Sequence, residues 1–189
     1  MLNKKFIKNL QKDYKEKVGE RRQIISLSNI ILHDSKRIIF ALHREDIKDA
    51  QNKFEELEKI LKKLEKKFGF TRLLEEGSYK AAAEEYIEAK TFYLVLNNKK
   101  IDKIKGIKID HESYLGGICD LLGELVRRAI NKASKGEVKE VESINNIIND
   151  IMSELIKFDF TGYLRTKYDQ ARGHLRKIEQ INYEIKIRK

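Results

Sequence analysis

The chain has 189 residues, 41% of them hydrophobic and 37% charged, which supports a folded globule with a sizeable core and excludes a disordered polyelectrolyte. Forty lysines and arginines against 30 acids give a formal net charge of +10, which favours a polyanionic partner such as nucleic acid, although a lysine-rich solvated surface gives the same balance. The single cysteine excludes an internal disulfide framework. No window approaches the roughly 18 apolar residues of a membrane span, and the N-terminus lacks the apolar core of a signal peptide, so a soluble cytoplasmic protein is expected.

Proline and tryptophan are absent. Glycine and short polar clusters are left to end each element, and the chain reads as all-α. A first helix is expected over residues 5–43, with Gly19 a candidate break. A second covers residues 46–68, where Ile47, Ala50, Phe54, Leu57, Leu61, Leu64 and Phe68 step by three and four. The lysines and glutamates between them place that helix on the outside of a bundle. After Gly69 and Gly77, a third helix runs over residues 78–96 with Ser78 as N-cap; its apolar second half, TFYLVL, makes it central. A polar connection over 97–110 leads to a fourth helix that ends near 135, before Gly136. A fifth follows over 137–158, with Val141, Ile144, Ile148, Ile151, Leu155 and Phe158 on one stripe. The last, over 162–188, aligns Leu164, Tyr168, Ala171, Leu175 and Ile178. No linker divides these elements, so a single helical domain of six or seven helices over residues 1–189 is expected.

The fourth helix carries the most informative stretch, YLGGICDLLGELVRR at residues 114–128. At about 100° per residue, Tyr114, Ile118, Leu121, Leu122, Leu125, Val126 and Ala129 share one side, while Asp120, Glu124, Arg127 and Arg128 share the other. Gly116, Gly117 and Gly123 each cost roughly 0.5–1 kcal/mol relative to alanine, so the helix is expected to meet another helix, a cation or a phosphate closely. Cys119 lies on an apolar flank as a small core residue.

The third helix adds Glu85 and Glu88, on the side of Ala81, Phe92 and Val95. A carboxylate aimed at apolar surroundings needs a cation or a base as partner. If Asp120 and Glu124 face the same space, up to four carboxylates converge from two helices. Oxygen-only donors of this kind suit Mg²⁺ or Mn²⁺, which can activate water for attack on a phosphodiester. Spacing alone favours a buried ion-pair network of Glu85 and Glu88 with Lys80, Arg127 or Arg128 over a metal site. A ferritin-like di-iron centre is excluded because no Glu-x-x-His pair exists. The four histidines lack zinc-ligand spacing and read as ordinary surface or hydrogen-bonded residues.

SKRIIFALHR at 35–44, EEYIEAKTF at 84–92, YLGGICDLLGELVRRAI at 114–130 and the closing YLRTKYDQARGHLRKIEQINYEIKIR together resemble the translin superfamily, and within it the catalytic branch, translin-associated factor X and its archaeal single-chain relatives. The third stretch is similar to a GxxDLTGELxR pattern, with Leu122 where that pattern has threonine. The resemblance implies an all-α bundle assembled into hollow homo-octamers, and a Mg²⁺-dependent endoribonuclease that cuts single-stranded RNA. Its metal would be held by Glu85, Glu88 and Asp120, with Glu124 as a fourth catalytic acid. Tyr79, Lys80, Arg127 and Arg128 are the expected nucleic-acid contacts. The binding branch carries a basic and an aromatic residue at the first two acid positions; this chain keeps both acids, which sets it nearer the nuclease than a non-catalytic binder of single-stranded RNA or DNA.

Overall fold

A computed structural model describes residues 1–187. Its elements are α1 (Lys4–His43), α2 (Ile47–Phe68), α3 (Phe70–Leu74), α4 (Gly77–Leu96), α5 (His111–Ser134), α6 (Val138–Leu155) and α7 (Gly162–Ile187), with no strand among the described residues. The all-α bundle expected from the sequence is the observed fold. Among the described residues, no helix is long and apolar enough to cross a membrane.

α1 starts at an Asn3 cap whose side chain accepts from the Lys5 and Phe6 amides, and it runs through Gly19 without a break. One glycine costs too little to interrupt a helix of 40 residues, roughly 60 Å long. Only its later part is buried, through Ile24, Ile31, Ile38 and Leu42, whereas Phe6, Leu10 and Tyr14 are exposed. α2 buries the predicted stripe Ala50, Phe54, Leu57, Leu61 and Leu64 and ends at Gly69, whose φ of +79° is the left-handed region that glycine adopts without strain. The short α3 was not anticipated, because five residues between two glycines carry no readable period.

Two boundaries differ from expectation. Ser78 does not cap α4; Glu76 stands at that position and gives no side-chain cap, because its carboxylate is taken by Arg72 at 2.8 Å and Arg21 at 3.4 Å. α6 stops at Leu155, short of the predicted 158, so Phe158 lies past the helix end and is exposed rather than part of the buried stripe. Residue 188, the expected end of the last helix, lies outside the described residues.

α4 packs on both α1 and α5; α2 covers α1 from outside, and α5 also meets α6 and α7. α4 is therefore central, burying Tyr79, Ala82, Ala83, Tyr86, Ile87, Ala89 and Phe92. The glycines of α5 explain how closely it approaches. A Cβ at Gly117 would stand 2.7 Å from the Glu84 carbonyl oxygen and 2.8 Å from the Ile87 Cβ, so only glycine lets the two backbones meet at this distance. The acids of both helices are thereby brought to the middle of the bundle.

Candidate active site

Glu85 and Glu88 lie where α4 passes from its exposed edge at Ala81 to its buried half at Phe92. Glu88 is 9% exposed, and its carboxylate receives no hydrogen bond or ion pair among the described residues. Burial is the main cause of its raised pKa, and the negative charges of Glu85, Asp120 and Glu124 add to it, pushing the group up to about 8. Glu85 is also raised, first by burial and then by Asp120 and Glu124, against the lowering effect of Lys36. Lys36 is the nearest cation to it, 3.9 Å away on the exposed side of α1. The four predicted acids thus share one electrostatic neighbourhood that is short of positive charge.

They do not form a closed cage. Among the described residues, no three His, Cys, Asp or Glu side chains stand around one point as ready ligands. Asp120 is drawn toward α7, where Lys167 Nζ donates to its Oδ2 at 2.5 Å. Glu124 is drawn toward the end of α1, where His43 Nε2 meets its Oε2 and Arg127 stands 3.5 Å away. Two acids of α5 are therefore paired with cationic or imidazole groups, while the two of α4 are nearly bare. The donor set, oxygen only and in excess of its counter-charges, still fits a hard divalent cation at Glu85 and Glu88.

The expected ion-pair network of Glu85 and Glu88 with Lys80, Arg127 or Arg128 is not observed among the described residues. Lys80 pairs with Glu112 at 3.1 Å and lines a cleft of about 280 Å³ with Glu84 and Tyr163. Arg127 is half-exposed beside Glu124 and over the Phe40 ring, so it remains available to a phosphate near the acids. Arg128 is spent elsewhere, 3.3 Å from Glu45 in the turn between α1 and α2. Tyr79 is corrected outright. It is 1% exposed within the core, so it cannot be a nucleic-acid contact in this fold. Six helical steps of about 100° turn it away from Glu85 and onto the stripe of Ala82, Ala83 and Tyr86.

Other residues at the site were not singled out from the sequence. Glu84 is buried, and its Oε1 accepts from Lys167 Nζ at 2.8 Å and from the Tyr163 hydroxyl at 2.7 Å. Its Oε2 occupies the room left by Gly116, where a Cβ would come within 2.1 Å. Gly123 makes the same kind of room for the His174 ring, whose Nε2 would be 3.2 Å from a Cβ there. The glycines of α5 thus serve a neighbouring helix at Gly117, a buried carboxylate at Gly116 and an imidazole at Gly123. His43 has 7% of its side chain exposed, packs on Phe92 with ring centroids 4.9 Å apart, and leaves Nδ1 buried without a hydrogen-bond partner among the described residues. The readable signal for Glu84 was its buried helix face; Lys167 and His43 gave none, because each is brought to the acids by a helix distant in the chain. A larger cleft, about 1090 Å³, lies elsewhere, against Val95, Ile118, Ile147, Ile151, Leu155 and Phe158.

Comparison with known proteins adds lineage to this geometry. The model of the Translin family matches residues 19–189. An uncharacterised protein of Methanocaldococcus jannaschii is 30% identical over 162 residues, covering 83% of this chain and 72% of that protein. The translin-associated protein X homolog of Schizosaccharomyces pombe is 29% identical over 141 residues, covering 67% of this chain and 61% of the homolog. Translin of Gallus gallus is 32% identical over 88 residues, 46% of this chain and 38% of translin, so the chain spans well under half of that relative. Among solved structures, apo-NeC3PO superposes with a TM-score of 0.86 at 22% identity over 98% of both chains. AfC3PO, solved in complex with duplex RNA, gives 0.85 at 20% identity over 97% of both. At those identities the two structures speak for the fold alone. The family match over nearly the whole chain is decisive for lineage: the chain belongs to the translin family.

Proposed function

We propose that this chain is a metal-dependent endoribonuclease that cleaves single-stranded RNA at the carboxylates shared by α4 and α5. The observation that carries the reading is Glu88, buried beside three further carboxylates with no cation hydrogen-bonded to it among the described residues. A helix facing only solvent or core has no use for such a group, which is costly to bury until a divalent ion neutralises it. Glu85 and Glu88 would hold Mg²⁺ or Mn²⁺, with Asp120 as the third ligand. Bound there, the ion would supply a Lewis acid that eases deprotonation of water and offsets the charge developing on the phosphodiester. Glu124, steadied by His43, is the group we assign to orienting the attacking water. Arg127 and Lys80 would attract phosphates to the rim, and the net charge of +10 would supply long-range attraction.

Kinship supports the reading at a coarser level, through the translin-associated protein X homolog, and AfC3PO, which shares the fold, was solved with duplex RNA. We further propose that the chain works as a homo-octamer. The exposed Phe6, Leu10 and Tyr14 on the free half of α1 are apolar positions suited to burial against another copy. Light scattering should give a mass of eight chains, and a monomer at micromolar concentration would refute this.

Labelled single-stranded RNA, incubated with Mg²⁺ and separately with chelator, tests the activity. Cleavage should require the ion and should be lost in Glu88→Gln; wild-type cleavage by that variant would overturn the assignment. One observation favours a second reading, a translin-like protein that binds single-stranded RNA or DNA without cutting it: Asp120 and Glu124 are already paired to Lys167 and His43. Salt-sensitive binding of intact RNA, with no product in Mg²⁺, would select it.

A further inference from the structure

Lys167 is the one α7 side chain that touches acids of both α4 and α5. Its Nζ lies 2.8 Å from Glu84 Oε1 and 2.5 Å from Asp120 Oδ2, with only 17% of the side chain exposed. The two carboxylates are not equivalent. Glu84 is held from three directions: by the ammonium, by the Tyr163 hydroxyl one turn earlier on the same helix, and by the recess over Gly116 that fits its Oε2. Asp120 has Lys167 as its one hydrogen-bond donor among the described residues and is more exposed, at 26%. The Tyr163 ring also lies 5.5 Å from Nζ, so the ammonium has a second favourable contact on the Glu84 side. One positive charge is therefore shared between a fixed acid and a freer one.

We propose that Lys167 is a positioning residue that competes with a divalent cation for Asp120, and that Glu84, Tyr163 and Gly116 form the seat that retains its ammonium once Asp120 turns to the ion. The inference rests on the metal reading of Glu85, Glu88 and Asp120. In the metal-free protein the tethered ammonium neutralises Asp120 and limits its repulsion with Glu85 and Glu88. When a divalent ion enters, Asp120 exchanges one cation for another while Lys167 stays paired with Glu84, so no buried charge is left alone. The arrangement weakens metal affinity but keeps the unloaded site folded.

Titration with Mn²⁺, followed by electron paramagnetic resonance of the free ion, tests this without any activity measurement. Lys167→Gln keeps two amide donors for the same carboxylates and removes the charge; it should bind Mn²⁺ about ten-fold more tightly than wild type. Glu84→Gln keeps the shape and the Tyr163 contact but removes the retaining charge, so Lys167 leans on Asp120 and Mn²⁺ binding should weaken several-fold. The double variant separates competition from ligation. With Lys167 gone, Glu84→Gln should have no further effect, and affinity should match that of Lys167→Gln alone. Unchanged or weaker binding by Lys167→Gln overturns the proposal, as does a loss from Glu84→Gln that persists in the double variant and so marks Glu84 as a ligand. If Lys167→Gln fails to fold, Glu84→Gln still decides: unaltered Mn²⁺ affinity in it refutes the competition. Wild-type binding that disappears in Glu88→Gln, with Lys167→Gln unmoved, sinks this inference and leaves the metal reading standing. No Mn²⁺ binding by the wild-type protein overturns both.

Discussion

α2 and α4 both carry glutamates at helical spacing, yet they give those acids opposite fates. Glu58 of α2 is pushed up by burial, but the Lys90 ammonium and the Tyr86 hydroxyl bonded to it outweigh that push and hold its pKa below the usual range. Glu65 is likewise paired, 2.6 Å from Lys108. Glu88 of α4 is buried without such a partner among the described residues, beside other acids, and its pKa rises to about 8. Spacing does not make a site; the difference is whether a cation reaches the carboxylate. In α2 a neighbouring lysine does, whereas at Glu85 and Glu88 the nearest ammonium is Lys36 at 3.9 Å from Glu85.

The largest expected effect separates the two helices by activity. Glu88→Gln or Asp120→Ala should reduce Mg²⁺-dependent RNA cleavage by at least about 100-fold with the circular dichroism spectrum retained, while Glu58→Gln should leave cleavage close to wild type. Equal losses from α2 and α4 would erase the contrast.

Next in size is a pH effect on the metal-free protein. Folding favours protonated Glu88, so its contribution is complete below the ordinary carboxylate range, declines as pH rises, and is gone above about 8. Thermal unfolding in chelator should show Tm falling between pH 5 and 8, and Glu88→Gln should remove much of that slope and raise Tm at pH 8 by on the order of 5 °C. A slope unchanged by the substitution would show that the charge is not confined as described.

Packing distinguishes the crowded α4 and α5 pair from the open faces. Gly117→Ala drives a methyl against backbone and the Ile87 Cβ, and should destabilise by about 1–3 kcal/mol in urea. Gly173→Ala, on α7 with nothing within 4 Å of the added Cβ, should stabilise by about 0.5–1 kcal/mol. The same substitution thus has opposite signs in the two places.

Much of this was readable from the sequence, because it is local. The stripe of α2, the central burial of α4 and the small-residue face of α5 follow from periodicity and glycine placement, whereas spacing left the convergence of Glu85 and Glu88 with Asp120 and Glu124 conditional, and the resemblance to a known family is what joined the two pairs into one expected site. What escaped depends on contacts between distant parts of the chain. Lys167 reads as one more surface lysine until α7 is docked on α5, and His43 ends a helix 81 positions before the Glu124 it meets. Arg128 shares the polar face of Asp120 and Glu124 and so was expected to meet phosphate, but the turn at Glu45 claims it. Tyr79 was expected at the interface from the family resemblance, whereas rotation around the helix turns it into the core.

On the reading proposed above, Glu85 and Glu88, with Asp120, grip a divalent ion. Anomalous diffraction from crystals soaked in Mn²⁺ tests it most directly. A peak is expected between α4 and α5, with oxygens of Glu85 and Glu88 at about 2 Å and Asp120 turned toward it from Lys167. A density map with no peak at those carboxylates under saturating Mn²⁺, or with the ion bound at other residues, would contradict it.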